Sequence, residues 1–345
     1  MSEQYSIPEK DEMREAFGLT RLGDEMYNDM VALISVLNDY DGPVAFEHAL
    51  LRAHEEYDYS ISPDDDRAGK NHKNRIDRLG EWNPEAAQRI VGRIPRKDIW
   101  TEMALSTLSD DEITGNNMHT VQQRCIDMSE TRANEYNQAN AKDIQERVIE
   151  NVEFAAEEYD SIGEFIDDAI EQATVIASKE IPDRIESRKQ GTKSSGGSVN
   201  EEIVRQALRN EGIEELDKLD NSKREYFTCK TNDADLTVVH TSSDLLRVEV
   251  KSSNLRERAG RAGGAGNNWI LLGFVNDAAS LSHMIEEGNN QRPPLRDAYR
   301  LVYAPESVVT NVNPQTRQQN RTTFLRPINQ FPGDMSYYLS NGTLP

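Results

Sequence analysis

The stretch Leu245-Leu246-Arg247-Val248-Glu249-Val250-Lys251 decides how the chain is read. Apolar and polar residues alternate in it with the period of a strand, on which successive side chains point to opposite faces. Leu246, Val248 and Val250 therefore turn one way, into a core, and Arg247, Glu249 and Lys251 turn the other. Just upstream, Asp233-Ala234-Asp235-Leu236-Thr237-Val238-Val239 opens a second strand, and His240 to Asp244 supply a turn between the two. In an antiparallel hairpin the start of one strand faces the finish of the other. Asp235 is thus expected beside Glu249 and Lys251, with Asp233 as its competitor.

Working outward, further β-type runs cover Glu225 to Cys229 and Trp269 to Val275, with a last one from Arg300 to Ala304. Before them, Ser198 with Glu201 three residues on reads as a capping box opening a helix that carries Ile203, Val204, Ala207 and Leu208 and closes at Gly212. After Asp277, the positions of Leu281, Met284 and Ile285 predict another helix, ended by Gly288. The order is helix, strands, helix, strand.

The first half has a different texture. Met26, Met30, Val31, Ile34 and Leu37 recur at helical spacing, as do Ile144, Val148 and Val152, then Ile162, Phe165, Ile166 and Ile170. Asp160 or Ser161 can cap the last of these, and Pro182 suggests a break. Residues 187–198, SRKQGTKSSGGS, have the composition of a linker. The expected division is a helical domain over 1–185 and a second domain over 186–345.

Charge separates the halves as well. The 345 residues carry 39 basic and 61 acidic side chains, a net charge of −22. Residues 251–345 nevertheless hold 10 basic against 7 acidic. A second basic island runs from Arg67 to Lys97, with nine cations against three carboxylates. Positive surface on so acidic a chain marks where a polyanion can approach. Arginine outnumbers lysine 27 to 12; with a mean hydropathy of −0.75, this resembles proteins from organisms that hold molar salt in the cytoplasm. No apolar run nears the roughly 18 residues of a membrane span, and the first residues lack the layout of a secretion signal. Two cysteines make no disulfide framework. The expectation is a soluble, cytoplasmic protein with no membrane partner.

Asp235, Glu249 and Lys251 suit phosphodiester hydrolysis. That reaction needs a water made nucleophilic near neutral pH and relief of charge on the phosphoryl oxygens, and a divalent cation held by two carboxylates supplies both. Oxygen donors fit Mg²⁺, with Mn²⁺ able to substitute, and no Cys/His cluster with zinc spacing exists. Lys251 can position or deprotonate the water, or stabilise charge in the transition state.

At these positions the chain resembles the PD-(D/E)xK nuclease superfamily, through Asp235 and, 14 residues later, Glu249-Val250-Lys251. The similarity covers about residues 198–305; no Pro precedes Asp235, which departs from the commonest form of the motif. The resemblance implies an α+β fold of two domains. An N-terminal all-α domain precedes a restriction-endonuclease-like core, a central mixed sheet flanked by helices. It implies metal ligands Asp235 and Glu249, catalytic Lys251, and Glu201 in the place of the family's helix glutamate. The expected activity is that of a type II restriction endonuclease working on double-stranded DNA as a homodimer. The alternatives are a repair or junction-resolving nuclease, or an idle copy that only binds DNA.

DNA contacts are expected from Arg256, Arg258 and Arg261 past the end of the catalytic strand, from Lys193, and from Arg75, Arg78 and Arg93 in the basic island. Arg292, Arg296, Arg300, Arg317, Arg321 and Arg326 add candidates. The Gly-rich run 262–266 lacks the Gly-Lys-Ser/Thr of a phosphate-cradling loop, so no nucleotide cofactor is expected.

Overall fold

The computed structural model describes residues 4–62, 69–93, 95–155, 161–231, 234–252, 268–288, 293–319 and 322–345. The chain falls into two compact units. One comprises Met1–Met103 with Asp127–Ser194, the other Ala104–Ile126 with Ser195–Pro345.

The first unit is helical. It contains α1 (Lys10–Ala16), α2 (Asp24–Asp39), α3 (Phe46–Glu56), α4 (Gly69–Trp82) and α5 (Pro84–Arg89). The apolar face read from Met30, Ile34 and Leu37 is buried on α2, against Phe46, Leu50, Ile76 and Leu79. Asn83 caps α5 by accepting from the Ala86 N–H at 3.0 Å, with Pro84 in the first helical position. The expectation of an all-α domain needs one amendment. Two-residue strands β1 (Val44–Ala45) and β2 (Ile90–Val91) pair in parallel. Arg132 secures them, its buried guanidinium donating to the carbonyls of Gln88, Ile90 and Arg93. Burial pulls the Arg132 pKa down to about 10.

Three long or bridging helices follow, α6 (Lys97–Ser106), α7 (Met118–Ala155) and α8 (Ile162–Asn210). Ser161 is the cap of α8, its Oγ accepting from the Glu164 N–H at 3.2 Å. The expected break at Pro182 and linker at 187–198 are corrected: the backbone stays helical through both. Extending a formed helix needs no new nucleus, so helix propagating through the segment outweighs its Gly/Ser content. Ser198 is consequently an interior residue of α8 rather than a cap. The helix does end where expected, at Gly212, whose φ of +86° favours glycine.

The second unit is built on a seven-stranded mixed sheet, in the order β11-β8-β7-β6-β5-β4-β3. Its strands are β3 (Glu214–Glu215), β4 (Tyr226–Thr228), β5 (Leu236–Thr241), β6 (Asp244–Ser252), β7 (Trp269–Phe274), β8 (Leu301–Ala304) and β11 (Leu325–Pro327). The short β9 (Gln318–Gln319) and β10 (Thr322–Thr323) pair with each other. Helices α9 (Ala278–Glu286), α10 (Leu295–Ala298), α11 (Glu306–Asn311) and α12 (Phe331–Asn341) complete it. Strands β4, β5 and β6 form an antiparallel meander, and β6, β7, β8 and β11 run parallel. Asp277 caps α9, accepting from the N–H groups of Ala279 and Ser280. This is the expected mixed sheet flanked by helices.

The segment Ala104–Ile126 belongs with the sheet and not with the expected N-terminal domain. Its Ile113 and Met118 are fully buried, and Asn210 donates to the Ile113 carbonyl at 2.9 Å. Gly115 sits so close to Asn329 that a Cβ there would lie 2.5 Å from its carbonyl oxygen. No helix among the described residues is long and apolar enough to cross a membrane.

Candidate active site on the central strand

Strand β6 has three strands on either side. Its two faces are both covered: Leu246, Val248 and Val250 are buried on one, and Glu249 on the other is 1% exposed. Leu236 pairs with Val248, and the Asp235 N–H donates to the Val248 carbonyl at 3.2 Å. That register carries Asp235 to Glu249, as the hairpin argument required.

Three charged groups meet there. Lys251 Nζ lies 3.0 Å from Asp235 Oδ2 and 3.2 Å from Glu249 Oε1. The same ammonium is 3.2 Å from the Val250 carbonyl oxygen, and the Val250 N–H donates to Asp235 Oδ2 at 2.8 Å. Two carboxylates and one ammonium leave a local excess of one negative charge. The side chains of Asp235 and Lys251 are only 14% and 16% exposed. Burying such a set is costly unless its members pair.

Glu249 has a further partner that motif reading missed. The Tyr299 hydroxyl donates to Glu249 Oε2. Tyr299 is buried at the end of α10, immediately before β8, and reaches the site from 50 residues away. Glu249 Oε1 is buried with no donor aligned for a hydrogen bond, although Lys251 makes an ion pair with it. An oxygen with lone pairs left over, beside a second carboxylate on the neighbouring strand, suits a hard divalent cation. No cluster of three or more His, Cys, Asp or Glu exists among the described residues. The donor set is therefore two carboxylates with remaining positions for water, an arrangement Mg²⁺ accepts.

The other expected residues are placed as follows. Glu201 is half-buried on α8 in the same unit as the trio. Its neighbour Glu202 is the deeply buried one, paired with Arg205 and Gln206. Lys193 falls on α8, its side chain outside the described residues, and Asp233, Arg67, Arg256, Arg258, Arg261, Arg292 and Arg321 also lie outside them.

In the basic island the cations have local work. Arg75 is buried, its Nε 2.7 Å from Asp29 Oδ2, and Asp29 also accepts from the Ser60 N–H and hydroxyl. Arg78 pairs with Glu81 and lies over the Phe17 ring. Arg96 pairs with Glu81 and Asp98, and Lys73 with Asp77. Arg93 is exposed, with its guanidinium over Phe46. Arg75, one of the residues expected at DNA, is thus an interior ion-pair partner.

Three C-terminal arginines are likewise engaged. Arg296 donates to the Thr316 carbonyl, Arg317 to those of Val312 and Thr310, and Arg326 to Asp334 at 2.7 Å. Asp334 also accepts from Tyr303, whose hydroxyl is held well above its usual pKa chiefly by burial.

No family model matches the sequence, and no curated protein does. Among solved structures the chain is similar to one described as metal-depleted Ecl18kI in complex with uncleaved, modified DNA. The identity is 12% and the TM-score 0.42, over 78% of this chain and 85% of that one.

Proposed function

We propose that this chain is a divalent-metal-dependent endonuclease of the PD-(D/E)xK kind that cleaves double-stranded DNA at a short defined sequence, in the manner of a type II restriction enzyme. The observation that carries the proposal is the meeting of Asp235, Glu249 and Lys251 within 3.2 Å on and beside the central strand. Nothing in the packing of a sheet calls for three ionised groups at its middle.

In this reading Asp235 and Glu249 hold Mg²⁺, or Mn²⁺ in its place. The ion, when bound, supplies an activated water and relieves charge on the phosphoryl oxygens. The chain's own residues do the rest. Asp235 is oriented by the Val250 N–H and Glu249 by Tyr299, so the carboxylates are set before substrate arrives. Lys251, fixed between them, presents its ammonium to the incoming phosphate or water and balances the charge of the pair. Glu201 stands as a further candidate from α8. The DNA backbone is assigned to Arg256, Arg258 and Arg261, with Lys193 and the exposed Arg93 as additional contacts. A homodimer gives one site per DNA strand.

Incubation with plasmid DNA and Mg²⁺, followed by sequencing of the ends, tests this. Double-strand breaks at one short sequence with 5′-phosphates are expected. Random nicking, or a strict preference for branched DNA, would move the assignment to a repair nuclease, and binding with no cleavage would move it to an idle copy.

A further inference from the structure

We propose that Tyr299 selects the cation at this site, favouring Mg²⁺ and Mn²⁺ over Ca²⁺ by leaving Glu249 one oxygen to offer; the inference rests on the metal-dependent reading above. The two oxygens of Glu249 face different neighbours. Oε1 faces Lys251 and so the space shared with Asp235, whereas Oε2 accepts from the Tyr299 hydroxyl. Tyr299 is 4% exposed and Glu249 1%, so neither can turn to water without opening the core around β6 and β8.

The chemistry of the ions gives that asymmetry a consequence. Ca²⁺ takes six to eight oxygens and accepts carboxylates through both oxygens, while Mg²⁺ keeps a small octahedral shell, retains waters and binds through single oxygens. A glutamate whose Oε2 is engaged by a buried hydroxyl suits one-oxygen binding and disfavours the two-oxygen mode that Ca²⁺ can use. Tyr299 acts through Glu249 and is a positioning residue. Hydrogen-bond partners that orient a ligating carboxylate in this way govern affinity as well as geometry. The strand topology explains the reach: β8 lies two places from β6 in the sheet, with β7 between them. The residue entering β8 can therefore pass across the end of β7 to the glutamate.

The test is titration calorimetry of the full chain with MnCl₂ and with CaCl₂, for the native protein, Tyr299→Phe and Val302→Ala. The phenylalanine keeps the ring that fills the core and removes the hydroxyl. Val302 is fully buried on β8, so its truncation loosens the same strand and leaves the hydroxyl in place. The preference for Mn²⁺ over Ca²⁺, read as a ratio of dissociation constants, is expected to fall by about tenfold in Tyr299→Phe and to stay at the native value in Val302→Ala. An unchanged ratio in Tyr299→Phe, or an equal fall in both variants, would overturn the role of Tyr299 while leaving metal-dependent cleavage standing. Failure of the native protein to bind either ion would overturn the metal reading, and this inference with it.

Discussion

The basic island around α4 and α5 and the charged trio on β5 and β6 are both dense in charge, yet they are arranged on opposite principles. In the island, cations are spread over several carboxylates: Arg75 with Asp29, Lys73 with Asp77, Arg78 with Glu81, and Arg96 with Glu81 and Asp98. Arg75–Asp29 ties one helix to another, while Lys73–Asp77 and Arg78–Glu81 lie within α4 and Arg96–Asp98 is two residues apart, so the charge is consumed locally. At the sheet centre the charges converge. Asp235 and Glu249 share one ammonium, and the strands that carry them are already joined by their backbone ladder. The difference teaches that density of charge in a sequence does not locate function. Convergence of like charges at a place the fold would hold without them is what the proposed site rests on.

The sharpest way to break this contrast is to neutralise single groups of the trio. Asp235→Asn and Glu249→Gln should each lower the cleavage rate by at least about a thousandfold, the scale of losing a group that stabilises transition-state charge. Lys251→Met should cost a comparable factor. DNA binding should change little, and so should the melting temperature of the two carboxylate variants, whereas Lys251→Met, which leaves both buried carboxylates without their ammonium, should melt lower. Full cutting by Asp235→Asn would break the assignment and turn attention to Asp233.

The same operation in the island should do the reverse. Removing the Arg75 side chain leaves Asp29 ionised in the interior, a loss of about 3–5 kcal/mol, whereas Arg93→Ala should cost under about 1 kcal/mol. Denaturant titration compares the two. If Arg75→Ala is tolerated as easily as Arg93→Ala, the island is not structural in the sense drawn here.

Much of this was readable beforehand because strand alternation is strict. The runs at Leu236, Leu245 and Trp269 became β5, β6 and β7 within a residue or two, and the hairpin register followed from the turn at His240. Tyr299 was invisible, since its link to Glu249 depends on β8 lying two strands from β6, and no local spacing encodes that. The burial of Arg75 was hidden for a related reason: Asp29, its partner, is 46 residues away on another helix. Residues 187–198 misled through composition, because the continuity of α8 is inherited from its flanks.

Two condition-dependent tests sharpen the contrast further. Burial in the segment that joins the sheet unit pushes the Cys125 thiol up to about 12 from its ordinary value of 9.0. The unfolded thiol therefore ionises first as pH rises, the folded state holds more protons, and stability falls between about pH 9 and 12. This single group contributes up to about 4 kcal/mol of that fall. Cys125→Ala should flatten the alkaline limb of a stability profile, and an unchanged slope would remove the thiol from the account. The smallest effect concerns salt. At about 1 M KCl the Debye length is roughly 3 Å, so repulsion among unpaired carboxylates is screened while buried pairs such as Arg75–Asp29 persist. The melting temperature should rise toward molar KCl; a maximum below about 0.2 M, where the Debye length is still near 8 Å, would argue against adaptation to high salt.

The fourth place in a seven-stranded ladder has a kinetic meaning for β6. Its amides are shielded by neighbours on both edges, so local fraying from the sheet margins at β3 or β11 reaches them last. Backbone groups so placed exchange their hydrogens with solvent only when the whole cooperative unit opens. The carboxylate and ammonium to which the chemistry is assigned in the proposal thus ride on the strand of this sheet expected to exchange most slowly. Their spacing is guaranteed by the global unfolding free energy of the unit, and it holds until that unit unfolds as a whole.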